Sequence, residues 1–452
     1  MYAWGNGSLA QLSIDASVRA APLIAVVLLT VLSLSRRLDV LVLGADAASS
    51  LGVPVRSTYV VAVVCAVVLT AVSVTLAGPI AFVGLGAPVL VWLLAGRVRS
   101  LRRHVFRLPA SGLLGAFLIL FADALLRAVL GARGAASIPT GVPTAVLGGV
   151  MIVALALRMR DTGSGRAVDR APTRLRSHRR FVVVTVGCVV LLGGVVVAGL
   201  LSGTLLLRFG DLGLWLQGGA PPLVSRALGE RAPRIAAAVL AGAALALAGC
   251  LVQGTVRNPL AEPGILGITA GAGLGAAAVV TVLDGSRPML IVMAILAGLA
   301  TFAVIALLSW RGGFLSERFV LVGIGCGYSI TAITTFLLLS IDPWKTPRIF
   351  TWLSGTTYGR TFPDAVPVAV VLAVAVGVVG FVGLIAPHLA RAIVGAQHRR
   401  IIPVSMLLGG ILLGVADTVG RTVIAPSQIP AGLMIALIGA PYFVWLMRRS
   451  RA

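Results

Sequence analysis

Apolar residues gather in long runs along this chain, and charged residues fall in the short breaks between them. Thirteen runs are candidates for membrane-spanning helices. Five occupy the first part, at about 20–35, 59–77, 79–95, 111–130 and 140–157. Eight occupy the second, at about 181–201, 235–254, 265–283, 289–309, 319–340, 366–390, 404–420 and 431–447. A helix needs about 20 residues to cross the hydrocarbon of a bilayer. Most runs approach that length, while 79–95 is short and predicts a partial crossing. Strand-like alternation at barrel spacing is absent, and an open strand in lipid would leave backbone groups unpaired. The pattern predicts an all-α, polytopic membrane protein.

Composition supports the same class. Of 452 residues, 58% are hydrophobic and 11% are charged, whereas a soluble domain carries about 25% charged residues. The net charge of +23 does not imply nucleic acid, because the arginines lie between apolar runs and form no basic face with aromatic platforms. They orient the chain instead. With the N-terminus outside and thirteen crossings, 25 of the 37 basic residues fall inside and the other 12 outside, as the positive-inside tendency requires. The cytoplasmic loops then hold Arg36, Arg37, Arg97, Arg99, Arg102, Arg103, Arg391, Arg399, Arg400, Arg448 and Arg449. The segment 158–180 is a basic cytoplasmic linker containing Gly, Ser and Pro. Cys65, Cys188, Cys250 and Cys326 all lie within apolar runs, with no CxxC or metal-ligand spacing, and the four histidines are scattered. Residues Met1 to Ser17 are largely polar, so no cleavable signal peptide is expected.

The chain repeats itself. GPIAFVGLGAPVLVWLLAG at 78–96 aligns with GVVGFVGLIAPHLARAIVG at 377–395. Pro109, Asp123 and Arg127 then match Pro403, Asp417 and Arg421 at identical spacing. IPTGVPTAVLGG at 138–149 matches IPAGLMIALIGA at 429–440, and Trp4 to Gly7 matches Trp352 to Gly355. Residues 1–157 therefore read as the C-terminal half of a first repeat with about five spans, 158–180 as the linker, and 181–452 as a second repeat with about eight. The first repeat has no counterpart of 181–350 before Trp4. The second runs from PVAVVLAVAV at 367–376 straight into GVVGFVGL, where the first places about sixty residues, including LDVLVLGADAASSLGVPVRS at 38–57. The run 366–390 thus reads as two spans fused into one.

The most distinctive stretch begins at Arg231-Ala-Pro-Arg234 and continues through GAALALAGCLVQGTVRNPLAEPGILGITAGAGLG at 242–275. Asn-Pro and Pro-Gly break helices, because proline lacks the backbone donor and restricts its predecessor. Gly267, Gly271 and Gly275 are four apart and share a helix face that permits close packing. Most of these residues are accounted for as packing and turn devices. The order Gln253, Asn258, Pro259, Leu260, Ala261, Glu262, Pro263, Gly264, Leu266, Gly267 nonetheless resembles the signature of FecCD-type permeases. The stretch FVGLIAPHLAR at 381–391, with Pro387, His388 and Arg391, resembles their second signature. In the first repeat Val89, Val91 and Trp92 stand where the second has His388, Ala390 and Arg391.

That resemblance covers almost the whole chain and implies the following. The fold would be that of a type II ABC importer permease, duplicated and incomplete. The protein would be a multi-pass protein of the bacterial inner (plasma) membrane, in contact with the lipid bilayer and not with nucleic acid. Its partners would be a separate ABC ATPase subunit, an extracytoplasmic substrate-binding protein, and a second permease or a second copy of this chain. Residues 43–54, with Gly44, Ala45, Asp46, Ala47, Ala48, Ser49, Leu51 and Gly52, resemble the loop that docks on the ATPase. Arg231, Arg234 and Arg421 match the family's outward arginines, which receive the binding protein, and Arg127 is the first repeat's counterpart. Ferric hydroxamate-like siderophores would be the cargo, with haem or vitamin B12 as alternatives. A truncated or non-functional remnant of a fused double-length siderophore permease is the main rival. No GxxxxGK[ST] occurs, and Gly323-x-Gly325-x-Gly327 lies inside an apolar run. No enzyme, metal site or cofactor of this chain's own is expected, and ATP would be used by the partner ATPase.

Overall fold

The computed structural model describes residues 7, 14–136, 138–158, 177–256, 262, 264, 267–283, 285–310, 316–339, 379–425 and 427–449. Among these, every regular element is a helix. The chain divides into two compact units, one of Met1–Leu155 with Tyr328–Ser340, the other of Ala156–Gly327 with Ile341–Ala452.

The first unit begins with α1 (Asp15–Ser33) and three cytoplasm-assigned pieces, α2 (Ser35–Leu41), α3 (Ala45–Ser50) and the start of α4 (Val55–Ala77). Pro54 precedes α4 and Gly78, at φ 72°, ends it. α5 (Val83–Leu94) is short and is followed by a 3-10 turn (Arg99–Arg102) and by α6 (His104–Ala136). α6 breaks at Gly131, whose φ of 71° and ψ of 168° leave the helical region. α7 (Gly141–Arg158) and the helical residues Tyr328–Leu339 complete the unit. Leu126, Ile138, Val142, Ala145 and Ala332 form its buried cluster.

The second unit is built on α8 (His178–Leu201), α9 (Phe209–Leu216), α10 (Pro222–Val256), α11 (Ile268–Thr281), α12 (Arg287–Trp310) and the part of α13 (Ser316–Leu339) up to Gly327. α14 (Val382–Val394), α15 (His398–Thr422) and α16 (Ala431–Arg449) close it. α10 and α15 cross at glycine: a Cβ on Gly242 would overlap the Gly409 carbonyl, and one on Gly249 the Gly383 carbonyl of α14. With little hydrophobic drive between helices in lipid, such close approach supplies the packing energy. Ala237, Ala238, Ala241, Val382, Leu413, Ala416 and Ile435 fill the adjoining core. Gly271 and Gly275 meet Thr301, Ala297 and Met293 of α12 in the same way.

Nine of the described helices are long and apolar enough to cross a membrane, and Val83–Leu94, Ile268–Thr281, Val382–Val394 and Ala431–Tyr442 are shorter apolar helices. Each of the thirteen predicted runs carries one of these. One expectation is corrected. The run 366–390 is not one continuous helix, because residues 379–381 are non-helical and α14 starts only at Val382. Residues 366–378 lie outside the described residues.

The repeat shows in the backbone. Phe82 and Phe381, matched in sequence, are the two described non-glycine residues at positive φ (67° and 66°). Each starts a short helix, α5 or α14. Gly148 and Gly439, also matched, leave room for those two rings, which a Cβ would overlap.

Candidate functional site

Three elements bring the second unit's arginines together. α10 extends upstream of its apolar core to Pro222, so Arg231 and Arg234 sit within a helix rather than before one. Arg421 lies in the last turn of α15, one turn after Asp417. All four side chains are buried. Asp417 Oδ1 accepts from Arg234 Nε at 2.8 Å, and Oδ2 lies 3.7 Å from Arg421 Nε. Gln428 accepts from Arg234 Nη1 at 2.7 Å. Arg231 donates to the carbonyls of Leu200, Leu201 and Leu205, and Arg421 to that of Gly199. Gly203 gives the Arg231 guanidinium its space. These acceptors offset most of the cost of holding such charges out of water, although the buried Arg421 Nε makes no hydrogen bond among the described residues and only faces Asp417 at 3.7 Å. The expected outward patch is therefore an inward network, its cations turned onto a carboxylate and backbone carbonyls of the same unit.

Arg127 differs. It pairs with Asp123 at 2.7 Å, one helical turn back, and keeps 60% of its side chain exposed. Thr140 donates to the other oxygen of Asp123 at 3.3 Å. In the first unit Asp123 is bound by its i,i+4 arginine and by Thr140, while in the second Asp417 is taken foremost by Arg234, 183 residues away.

The two signature motifs meet at the lower end of α10. Gln253 donates to the Gly383 carbonyl at 3.2 Å and accepts from Arg391 at 3.1 Å. His388 Nδ1 lies 2.8 Å from the Tyr442 hydroxyl, and Pro387 is buried within α14. Glu262 accepts from the backbone N–H of Phe381, which ties the turn after α10 to the start of α14. Gly264 lies in that turn, while Asn258 and Pro259 are outside the described residues. Sequence reasoning missed Glu262, Gln428 and Tyr442 as partners.

The segment 43–54 forms a compact knob. Gly44 at φ 106° opens α3 and Gly52 at φ 78° closes it. Val53 N–H bonds the Ala48 carbonyl and Gly52 N–H that of Ser49, both at 3.0 Å, a Schellman stop. A Cβ on either glycine would touch nothing, so backbone conformation, not space, requires them. Ala48 is fully buried, whereas Val42, Leu43 and Leu51 stand 72%, 68% and 65% exposed.

No group of three or more metal-ligating side chains occurs among the described residues. Leu125, Leu126, Val142, Val146, Ile333 and Phe336 line a cavity of about 280 Å³ in the first unit, with hydrocarbon walls.

Fold and motif together define a polytopic helical permease with two related units. The FecCD transport family matches residues 1–158, 188–376 and 365–449, and the chain belongs to that family. It is a transport subunit, not an enzyme, and a multi-pass protein of the bacterial cell membrane. The iron(3+)-hydroxamate import permease FhuB of Salmonella typhimurium is 31% identical over 507 aligned residues, which cover 100% of this chain and 71% of that protein. The cobalamin import permease BtuC of Halobacterium salinarum is 34% identical, covering 52% of this chain and 76% of its own. A solved metal-chelate type ABC transporter in an inward-facing conformation is 27% identical, with a TM-score of 0.51 over 59% of this chain and 99% of that one.

Proposed function

We propose that the chain is the permease of an ATP-driven importer that carries ferric hydroxamate-type chelates into the cytoplasm. The observation that carries this reading is the alignment of its entire length with a hydroxamate permease, where the cobalamin permease aligns with about half. ATP is hydrolysed by a separate ATPase that docks on the 43–54 knob. That knob supplies an exposed apolar surface held in one shape. A binding protein delivers the chelate outside. Of the four arginines assigned to its reception, Arg127 has the exposure for direct pairing, while Arg231, Arg234 and Arg421 hold the frame of their own unit around Asp417. The chain supplies no ligand to the iron, which travels inside its chelator, and no cofactor of its own takes part.

The test is uptake in a strain lacking its own permease, complemented with this chain, its ATPase and its binding protein. Radiolabelled ferrichrome should accumulate, stop on ATP depletion and persist with a protonophore. Accumulation of cobalamin or haem in its place would overturn the cargo. Protonophore-sensitive uptake would overturn the energy source. No uptake of any of the three would favour the non-functional remnant.

A further inference from the structure

Asp39 lies in α2, just ahead of the knob, and meets His104, 65 residues further on. One oxygen, Oδ1, accepts from the His104 backbone N–H at 2.9 Å and contacts its ring Nδ1 at 2.5 Å. His104 is the first residue of α6. Its N–H is one of the donors that a helix start leaves without an internal partner, and negative charge is favoured at that end. Asp39 thus caps α6 from a different element. The contact is largely covered, with 17% of the His104 side chain exposed and 33% of that of Asp39. α2 also packs directly on α3 and on α6.

The second unit holds an internal comparison. The register that pairs Pro109 with Pro403 and Asp123 with Asp417 pairs His104 with His398. His398 is likewise the first residue of its helix, α15. That repeat lacks the 38–57 segment at the corresponding point, and with it the carboxylate. No described residue hydrogen-bonds the His398 ring, which is exposed beside Gly254. The histidine is duplicated and its acid is not.

We propose that Asp39 is a positioning residue for energy coupling, which through His104 makes α6 move with the ATPase-docking knob, and that the repeat without this acid is not driven in that way. The inference rests on the reading of 43–54 as the dock. The knob is a rigid unit, since α3 is closed at both ends and packs on α2. Displacement of α3 therefore displaces Asp39, and Asp39 pulls on the first turn of α6. The same helix carries Asp123 and Arg127, followed by its break at Gly131. A push at the dock reaches the opposite end of the unit along one helix.

The experiment uses the full chain in proteoliposomes with its ATPase and binding protein, and ferrichrome as cargo. Asp39→Ala and His104→Ala should retain the ATPase on purification and hydrolyse ATP, but uptake per ATP should fall about tenfold, equivalent to about 1.4 kcal/mol. His104→Asn, which keeps a donor near the Nδ1 position, should restore much of that loss. His398→Ala should transport as the wild type does. Wild-type uptake per ATP in Asp39→Ala overturns the proposal. Loss of the bound ATPase in Asp39→Ala also overturns it, since the acid would then shape the dock. If Asp39→Ala does not accumulate in membranes, the His104→Ala and His104→Asn pair decides, and equal coupling in the two refutes the joint. Bulky charged residues at Ala47, Ala48 and Ser49 test the reading beneath it, which fails if the ATPase still co-purifies.

Discussion

Asp417 shows what a single carboxylate does inside this protein. It is fully buried and answers two guanidinium groups, with Arg231 close by on carbonyls. Removing one partner of a buried pair strands the other charge, at about 3–5 kcal/mol. Asp417→Asn is therefore expected to lower the denaturation midpoint in detergent sharply and to reduce the amount in membranes. Arg127→Ala removes an exposed helical pair, worth at most about 1 kcal/mol, and should leave both unchanged. Equal effects from the two substitutions would contradict the buried network. Asp39 is a third case, held by a histidine at a helix start. Burial pushes its carboxyl up, but the hydrogen bonds and charge of His104, with the charge of Arg103, together hold it below the usual range. Its stabilisation is thus present above the unfolded value of about 3.9 and is lost only as pH falls through the lower folded value. Infrared titration of wild type against Asp39→Asn should place its protonation below that of an exposed aspartate. A midpoint at or above about 3.9 contradicts the cap.

Helix by helix, the short apolar elements matter most. α5 and α14 begin at a phenylalanine in left-handed backbone, a conformation costing about 1–3 kcal/mol unless the surroundings impose it. The surroundings here are a glycine on the closing helix, Gly148 for Phe82 and Gly439 for Phe381. Gly439→Ala should push the Phe381 ring out of place and destabilise the second unit by about 1–3 kcal/mol, the usual cost of overpacking. Gly187→Ala in α8, where a Cβ meets nothing within 4 Å, is the control. A midpoint for Gly439→Ala equal to that of the control would refute the fit. Periodicity revealed that these helices exist, and the repeated FVGL-x-AP revealed that they correspond. The break at Phe381 was hidden because Val366 to Ala390 is nearly continuous hydrocarbon, with no polar residue marking residues 379–381. The opposite error shortened α10. The apolar run begins at about 235, after Arg231 and Arg234, yet the helix runs back to Pro222 and buries both of those arginines. Their partner Asp417 stands 183 residues away. The repeat pointed to Asp417, but no spacing pointed from it to Arg234. The short helix within 43–54, by contrast, is a local property: Gly52 and Pro54 mark its end in the sequence, and α3 indeed stops at Ser50.

For the molecule as a whole, the two repeats are unequal in sequence, one carrying the 38–57 segment and the other not. Both carry the helix that starts at a histidine and bears the Asp–Arg pair, α6 and α15. One copy of the 38–57 segment exists in the sequence, in the first repeat. An importer powered by paired ATPase subunits needs two docks facing them, and on the proposed reading this chain provides one. Symmetric closed assemblies are the common solution for identical chains, and on the same proposed reading a second copy, or a different permease with its own knob, would supply the other dock. The expected complex therefore holds two permease chains for each pair of ATPase subunits. Native mass measurement of the detergent-purified complex, cross-linked in ATP-bound form, reads this ratio directly. Mixing wild-type chains with chains altered at Ala47, Ala48 and Ser49 adds a functional readout. If two docks must work together, activity should fall with the square of the wild-type fraction, because only pairs of intact chains remain. A mass corresponding to one permease chain with two ATPase subunits, together with a linear fall in activity, would show that the second repeat docks its ATPase by a surface unrelated to 43–54.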